Sequence, residues 1–181
     1  MSGHENPGRR RPRRAGRANS DAERRALAKA NARPSRWAAA RARPGFAALA
    51  VDGGARQSQR AAAIAYVLQG ADGSTLASHA EAIGAVSAIV AEYRALLAGL
   101  RRAHELGLDR IDARSDCRTL VAHLSRARTP ANPKLVGLGD EIIELTTRIG
   151  SVVVSWTPSE ANGVAHAMVA EALARDAGSV A

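Results

Sequence analysis

Between residues 46 and 100 the spacing of apolar residues changes period, and this change most limits what the chain can fold into. "FAALAVD", from Phe46, is a short apolar run; "RAAAIAYVLQG" (60–70) is a second and "STLASHAEAIG" (74–84) a third. "ADG" (71–73) is a turn signal between the last two. Three such runs joined by short polar loops predict an antiparallel meander. From Val86 onward the rule is different. Val86, Ile89, Val90, Tyr93, Leu96, Leu97 and Leu100 recur at i, i+3, i+4 and i+7, the pattern of an amphipathic helix. Gly107 in "LGL" is its expected C-cap.

The remaining elements follow the same two periods. "DRIDARS" (109–115) reads as a fourth strand, "CRTLVAHLS" (117–125) as a short helix and "RARTPANP" (126–133) as a loop. "KLVGLGDEIIELTTRIG" (134–150) reads as a helix, "SVVVSW" (151–156) as a fifth strand and "ANGVAHAMVAEALARDAG" as a closing helix. The order is βββαβααβα. Helices between the later strands make their pairings parallel. The expected fold class is therefore α/β, a five-stranded mixed sheet flanked by helices.

Charge divides the chain in two. Residues 1–45 hold 13 Lys and Arg against 3 Asp and Glu, a net +10, and residues 46–181 hold 13 against 14, a net −1. The expected organisation is a basic tail, 1–45, and a folded domain, 46–181. "GRRRPRRAGR" (8–17) carries Arg9, Arg10, Arg11, Arg13, Arg14 and Arg17 with almost nothing apolar to bury, and is expected to be disordered. "SDAERRALAKANAR" (20–33) has a capping box, Ser20 with Glu23, but only Leu27 as a large apolar side chain. Trp37 stands alone in basic sequence: an incidental contact, or a ring that stacks on nucleic acid. No apolar run approaches the ~18 residues of a membrane span. The N-terminus lacks a secretory h-region, and one cysteine, Cys117, permits no internal disulfide. A reducing, cytoplasmic location is expected. Cys117 itself reads as a small buried filler.

Three carboxylates stand at informative places. Asp52 ends the first strand and is followed by Gly53 and Gly54. Glu92 lies on the long helix in a stripe with Ala88, Ala95 and Gly99, small residues that let the helix approach the sheet. Asp116 ends the fourth strand in "ARSDC". Each has a plain reading: Asp52 in a turn with Gly53, Asp116 as a helix N-cap, Glu92 as a rim residue paired with Arg94 or another arginine. If the first and fourth strands are neighbours, the acids converge and repel. Hard divalent cations with oxygen ligands offset such charge most simply.

On these residues the chain resembles ribonuclease H of type I. The resemblance is carried by "VDGGAR", "AEYRALLAGLRRAHELG", "SDC" and "SWTPSEANGVAH", and covers about residues 46–178. It implies the ribonuclease H-like fold and hydrolysis of the RNA strand of an RNA–DNA hybrid. The mechanism implied uses two Mg²⁺ ions and gives 5′-phosphate and 3′-hydroxyl ends. Asp52 would bridge both ions, and Glu92 and Asp116 would each ligate one. The fourth ligand position of the family, usually an aspartate four residues after an asparagine, falls here on His166 after Asn162. A neutral imidazole gives Mg²⁺ less charge than a carboxylate, which implies weaker binding or some preference for Mn²⁺. The backbone of Gly53 and Gly54 would lie against the RNA, whose 2′-hydroxyls distinguish it from DNA.

The chain also departs from that pattern. Many members continue the first strand with Asn-Pro-Gly; here "RQSQR" (56–60) stands instead, so that Arg56, Gln57 and Ser58, with Asn162, join the glycines as expected substrate contacts. The loop before the last helix, "TPSEAN", holds no histidine, and "RARTPANPK" leaves no room for a basic protrusion. The tail is then the expected handle for nucleic acid, binding phosphate without sequence preference. Double-stranded RNA is a further possible substrate, no membrane partner is expected, and oligomeric state is open. The competing reading is a catalytically weak or inactive binding module on the same fold. Proofreading-type exonucleases place an acid where Gly54 stands, and transposase-like members need a glutamate on the last helix, where Glu160 and Glu171 are ill placed.

Overall fold

The computed structural model describes residues 42–126 and 128–178. The six tail arginines from Arg9 to Arg17, the 20–33 segment and Trp37 lie outside the described residues. The strands are β1 (Ala47–Arg56), β2 (Ala61–Gln69), β3 (Thr75–Gly84), β4 (Arg110–Ser115) and β5 (Ser151–Trp156). The helices are α1 (Ala88–Glu105), α2 (Arg118–Leu124), α3 (Pro133–Ile149) and α4 (Gly163–Gly178). One sheet holds all five strands in the order β3-β2-β1-β4-β5. The meander β1–β2–β3 is antiparallel, and β1–β4 and β4–β5 are parallel. The expected α/β architecture is the one observed.

Strand β1 is central and buried on both faces, which is why its apolar run does not alternate with polar residues. Leu49 and Val51 face α1 with Ile64, Tyr66 and Leu68 of β2. The opposite face is nearly all alanine: Ala48 and Ala50 of β1, then Ala61, Ala63 and Ala65 of β2. Alanine leaves the backbone open to close approach, and α4 lies there with Met168, Val169, Ala172 and Leu173. On the other side α1 comes equally near. A Cβ on Gly99 would stand 2.7 Å from Leu49 Cδ1.

Several boundaries differ from expectation for identifiable reasons. Asp52 does not end β1. The strand runs on to Arg56, with Asp52 opposite Ala65 in the hairpin. Only the parallel pairing with β4 stops early, at Ala50 opposite Arg114. The two glycines that suggest a break are in extended strand, where their lack of side chains admits helices on both faces. Helix α1 closes at Leu106, with Gly107 one position beyond at φ +70. The amides of Gly107 and Leu108 donate to the carbonyls of His104 and Ala103, a Schellman close. Helix α3 starts at Pro133, its first turn capped by Asn132, whose side chain accepts from the Lys134 amide at 3.0 Å. Cys117 is half-buried and caps α2, its Sγ accepting from the Leu120 amide at 3.4 Å. It is thus more than a filler.

Candidate active site

The end of the β1–β4 pairing brings the three acids together. Asp52 lies two residues past the last paired position of β1, and Asp116 is the first residue after β4. Glu92 reaches them from the second turn of α1. That placement depends on Gly53: a Cβ there would lie 2.2 Å from the Ala91 carbonyl carbon and 2.2 Å from the Glu92 amide nitrogen. The absence of a side chain at 53 lets the α1 backbone settle against β1 with Glu92 next to Asp52. The result is three carboxylates, each with an oxygen within 4.8 Å of the others.

None of the three plain readings describes these residues. Asp52 sits in a strand, not a turn, and α2 is capped by Cys117 rather than Asp116. Glu92 receives the Ser115 hydroxyl at 3.4 Å. Asp116 Oδ2 accepts a 2.6 Å hydrogen bond from Ser159 Oγ, and its carbonyl accepts from Trp156 Nε1 at 3.1 Å. These serines were not among the expected site residues. Their only signal is that each stands within motif stretches, "ARSDC" and "SWTPSEAN".

Burial and mutual repulsion make the cluster electrostatically expensive. Burial, then the charge of Asp116, raises the Asp52 carboxyl above its ordinary range, against the smaller opposing effect of His166. Burial, then Asp52 and Asp116, pushes Glu92 up to about 9. A hard cation with oxygen ligands would relieve this repulsion, so the residues present fit a divalent ion. The metal-free protein should therefore lose stability as pH rises. Glu92 holds its proton more tightly folded than unfolded, so its contribution is fully present below pH 4.5 and disappears as pH climbs through about 9. Glu92→Gln should raise the melting temperature in EDTA at pH 8 by about 3–8 °C and flatten its fall above pH 5. Thermal denaturation across pH checks this; a parent whose melting temperature does not fall over that range would contradict it.

The other expected residues divide. His166 joins the cluster: its Nδ1 lies 3.3 Å from Asp52 Oδ2, with the imidazole 69% exposed. Arg56 and the Gly53–Gly54 backbone line a cleft of about 330 Å³ that runs from the acids toward α4. A Cβ on Gly54 would meet Val169 Cγ1 at 2.8 Å, so both glycines are needed for packing as well as for an open floor. Gln57 and Ser58 lie in the exposed 3₁₀ turn Gln57–Gln59 at the hairpin tip, outside that lining. Asn162 departs from expectation. It is 1% exposed, and its Nδ2 donates to the Val51 carbonyl at 2.8 Å. It anchors the start of α4 to β1 and has no face to offer a substrate.

Comparison with known proteins agrees with this geometry. A protein-family model described as reverse transcriptase-like matches residues 50–172. Ribonuclease HI of Halobacterium salinarum is 32% identical over 122 residues, 67% of this chain and 61% of that protein. The bifunctional protein Rv2228c of Mycobacterium tuberculosis is 32% identical over 123 residues, 67% of this chain and 34% of that protein. The chain thus spans about three fifths and one third of these curated relatives. Among solved structures, RNase H1 from the same halophile superposes with a TM-score of 0.68 at 30% identity, covering 72% of this chain and 99% of the other. The N-terminal RNase H domain of Rv2228c gives 0.71 at 29%, covering 75% and 99%. LC11-RNase H1 in complex with an RNA/DNA hybrid gives 0.68 at 27%, covering 72% and 98%.

Proposed function

Because this chain belongs to the reverse transcriptase-like family of ribonuclease H-like domains, we propose that it is a metal-dependent endoribonuclease that cleaves the RNA strand of RNA–DNA hybrids. The observation that carries the reading is the convergence of Asp52, Glu92 and Asp116 within 4.8 Å at the head of an open cleft. These three and His166 would hold two Mg²⁺ ions, with Mn²⁺ an effective substitute because an imidazole stands among the ligands. When bound, such a pair activates the attacking water and stabilises the leaving 3′ oxygen, leaving 5′-phosphate and 3′-hydroxyl ends.

The chain's own residues supply the rest. Asp52, on a strand buried on both faces, is the fixed reference to which the other ligands are brought. His166 is open to solvent beside it and able to bind a water. Gly53, Gly54 and Ala55 line the cleft with no side chain larger than a methyl, and Arg56 in the same lining suits a phosphate. The single cysteine accords with action in a reducing cytoplasm.

The test is incubation of purified protein with a labelled hybrid, a DNA duplex holding one ribonucleotide, and double-stranded RNA, with Mg²⁺ and then Mn²⁺. Ion-dependent cleavage of the hybrid's RNA strand is expected. Hybrid binding without cleavage in either ion would instead assign a binding module.

Residues 46–181 carry a net charge of −1, so the basic tail is assigned nonspecific phosphate binding. Deleting residues 1–41 should weaken hybrid affinity roughly tenfold or more at moderate salt and flatten the dependence of log Kd on log salt. Filter binding across a salt series checks this; an unchanged slope would refute the assignment.

A further inference from the structure

Three contacts stitch the start of the β4–α2 connection to the segment that leaves β5. The Thr157 amide donates to the Ser115 carbonyl at 3.0 Å, which carries the parallel ladder one step past its last strand pair. The Trp156 indole N–H donates to the Asp116 carbonyl at 3.1 Å. The Ser159 hydroxyl donates to Asp116 Oδ2 at 2.6 Å. The partners of the last pair are 43 residues apart in sequence, so no local turn dictates it.

The donor side of this arrangement is rigid. Pro158, at φ −66 and ψ 148, sets the direction in which the chain leaves β5, and Ser159 opens a 3₁₀ turn that ends at the buried Asn162. Trp156 is 40% exposed, yet the Arg118 guanidinium covers one face of its ring at 3.9 Å from the centroid. Arg118 is the first residue of α2 and follows Asp116 by two. The indole is thus gripped from the same connection whose carbonyl it holds.

We propose that Ser159 is a positioning residue that fixes the Asp116 carboxylate in its cation-binding orientation, held in place for that task by Trp156 and Pro158. This rests on the reading of the acidic cluster as a divalent-ion site. A carboxylate on a connecting residue, half-exposed, would otherwise turn about its Cα–Cβ bond and swing away from Asp52 and Glu92, which repel it. With one oxygen engaged by Ser159, that rotation is stopped and the remaining lone pairs stay on the cluster side. Asp52 needs no such device, being on a buried strand, and Glu92 has the α1–β1 contact at Gly53. Asp116 depends on the chain beyond β5. Partners of this kind, which orient a ligand without touching the ion, commonly change metal affinity about 10–100-fold.

The test is made on the full chain without nucleic acid, by titrating Mn²⁺ and following both bound ion by calorimetry and the rise in melting temperature. In Ser159→Ala the half-saturating Mn²⁺ concentration should rise roughly tenfold, while the melting temperature in EDTA stays within about 2 °C of the parent, since the lost bond is at the surface. Ser159→Thr, which keeps the hydroxyl, should bind within about twofold of the parent. In hybrid cleavage, the Ser159→Ala defect should be overcome by excess Mn²⁺ with KM for the hybrid unchanged. Parent-like ion binding by Ser159→Ala overturns the proposal, as does an equal loss in Ser159→Thr. A parent that binds no ion would overturn the metal reading itself, a result distinct from both.

Discussion

Asp52→Asn is expected to lower kcat for hybrid cleavage by at least about three orders of magnitude, some 4 kcal/mol of transition-state stabilisation. The substitution is nearly isosteric, and residue 52 is 4% exposed in β1, opposite Ala65 of β2. Its backbone bonds to β2 do not involve the carboxylate, so the fold has no reason to change. What is lost is the charge closest to both His166 and the other two acids. Removing it also relieves repulsion, since Asp52 is one of the groups that push Glu92 upward. Activity and stability should therefore move in opposite directions: cleavage vanishes while the melting temperature in EDTA stays level or rises. Single-turnover kinetics with saturating Mg²⁺, beside thermal denaturation, measures both. Cleavage retained within tenfold would remove Asp52 from the chemistry. A fall in both quantities would mean that Asp52 is instead a structural residue.

The second large effect concerns a residue without a side chain. Gly53→Ala should destabilise the protein by about 3 kcal/mol or more, enough to leave much of a marginal domain unfolded at 37 °C. The new methyl would stand 2.2 Å from two backbone atoms of α1. Backbone atoms in a helix do not rotate aside as a side-chain tip does, so α1 would have to move away from β1 as a unit. Gly54→Ala should cost less, because the atom it meets is a methyl of Val169 at 2.8 Å. Gly137→Ala provides the control. It is exposed in α3 with nothing within 4 Å of the added carbon, and should stabilise by about 0.5–1 kcal/mol through helix propensity. Chemical denaturation should rank the three as Gly53, Gly54, Gly137 from worst to best; equal effects at 53 and 137 would show that α1 yields freely.

These two residues also mark how far the sequence can be read. The bounds of β5 are legible in "SVVVSW", which lies between Gly150 and a Thr-Pro pair. The end of α1 is legible in "LGL", because φ +70 favours glycine. Asp52, Glu92 and Asp116 are legible as candidates because each stands near the boundary of an apolar pattern. Their meeting is not, since it depends on β4 inserting beside β1 rather than beside β3. Gly53 is misread for a related reason. Period-two reasoning treats a double glycine as a strand end, whereas the atoms that require it belong to Ala91 and Glu92. Asn162 shows the same limit from the other side: a polar residue in a family stretch reads as a contact, and only the packing of α4 against β1 buries it. Ser159 and Trp156 are invisible as a pair, because nothing local ties either to Asp116.

The hydrogen bond from Asn162 to the Val51 carbonyl joins residues 111 apart. The hairpins and α1 draw on neighbours in the chain and are positioned to form early, whereas this bond awaits nearly the whole domain. During synthesis a nascent chain that ends between Asp116 and α4 already carries Asp52, Glu92 and Asp116, but neither His166 nor the helix that covers the alanine face of β1 and β2. On the proposed reading, the order of translation therefore leaves the ligand set without His166 until the last helix has emerged.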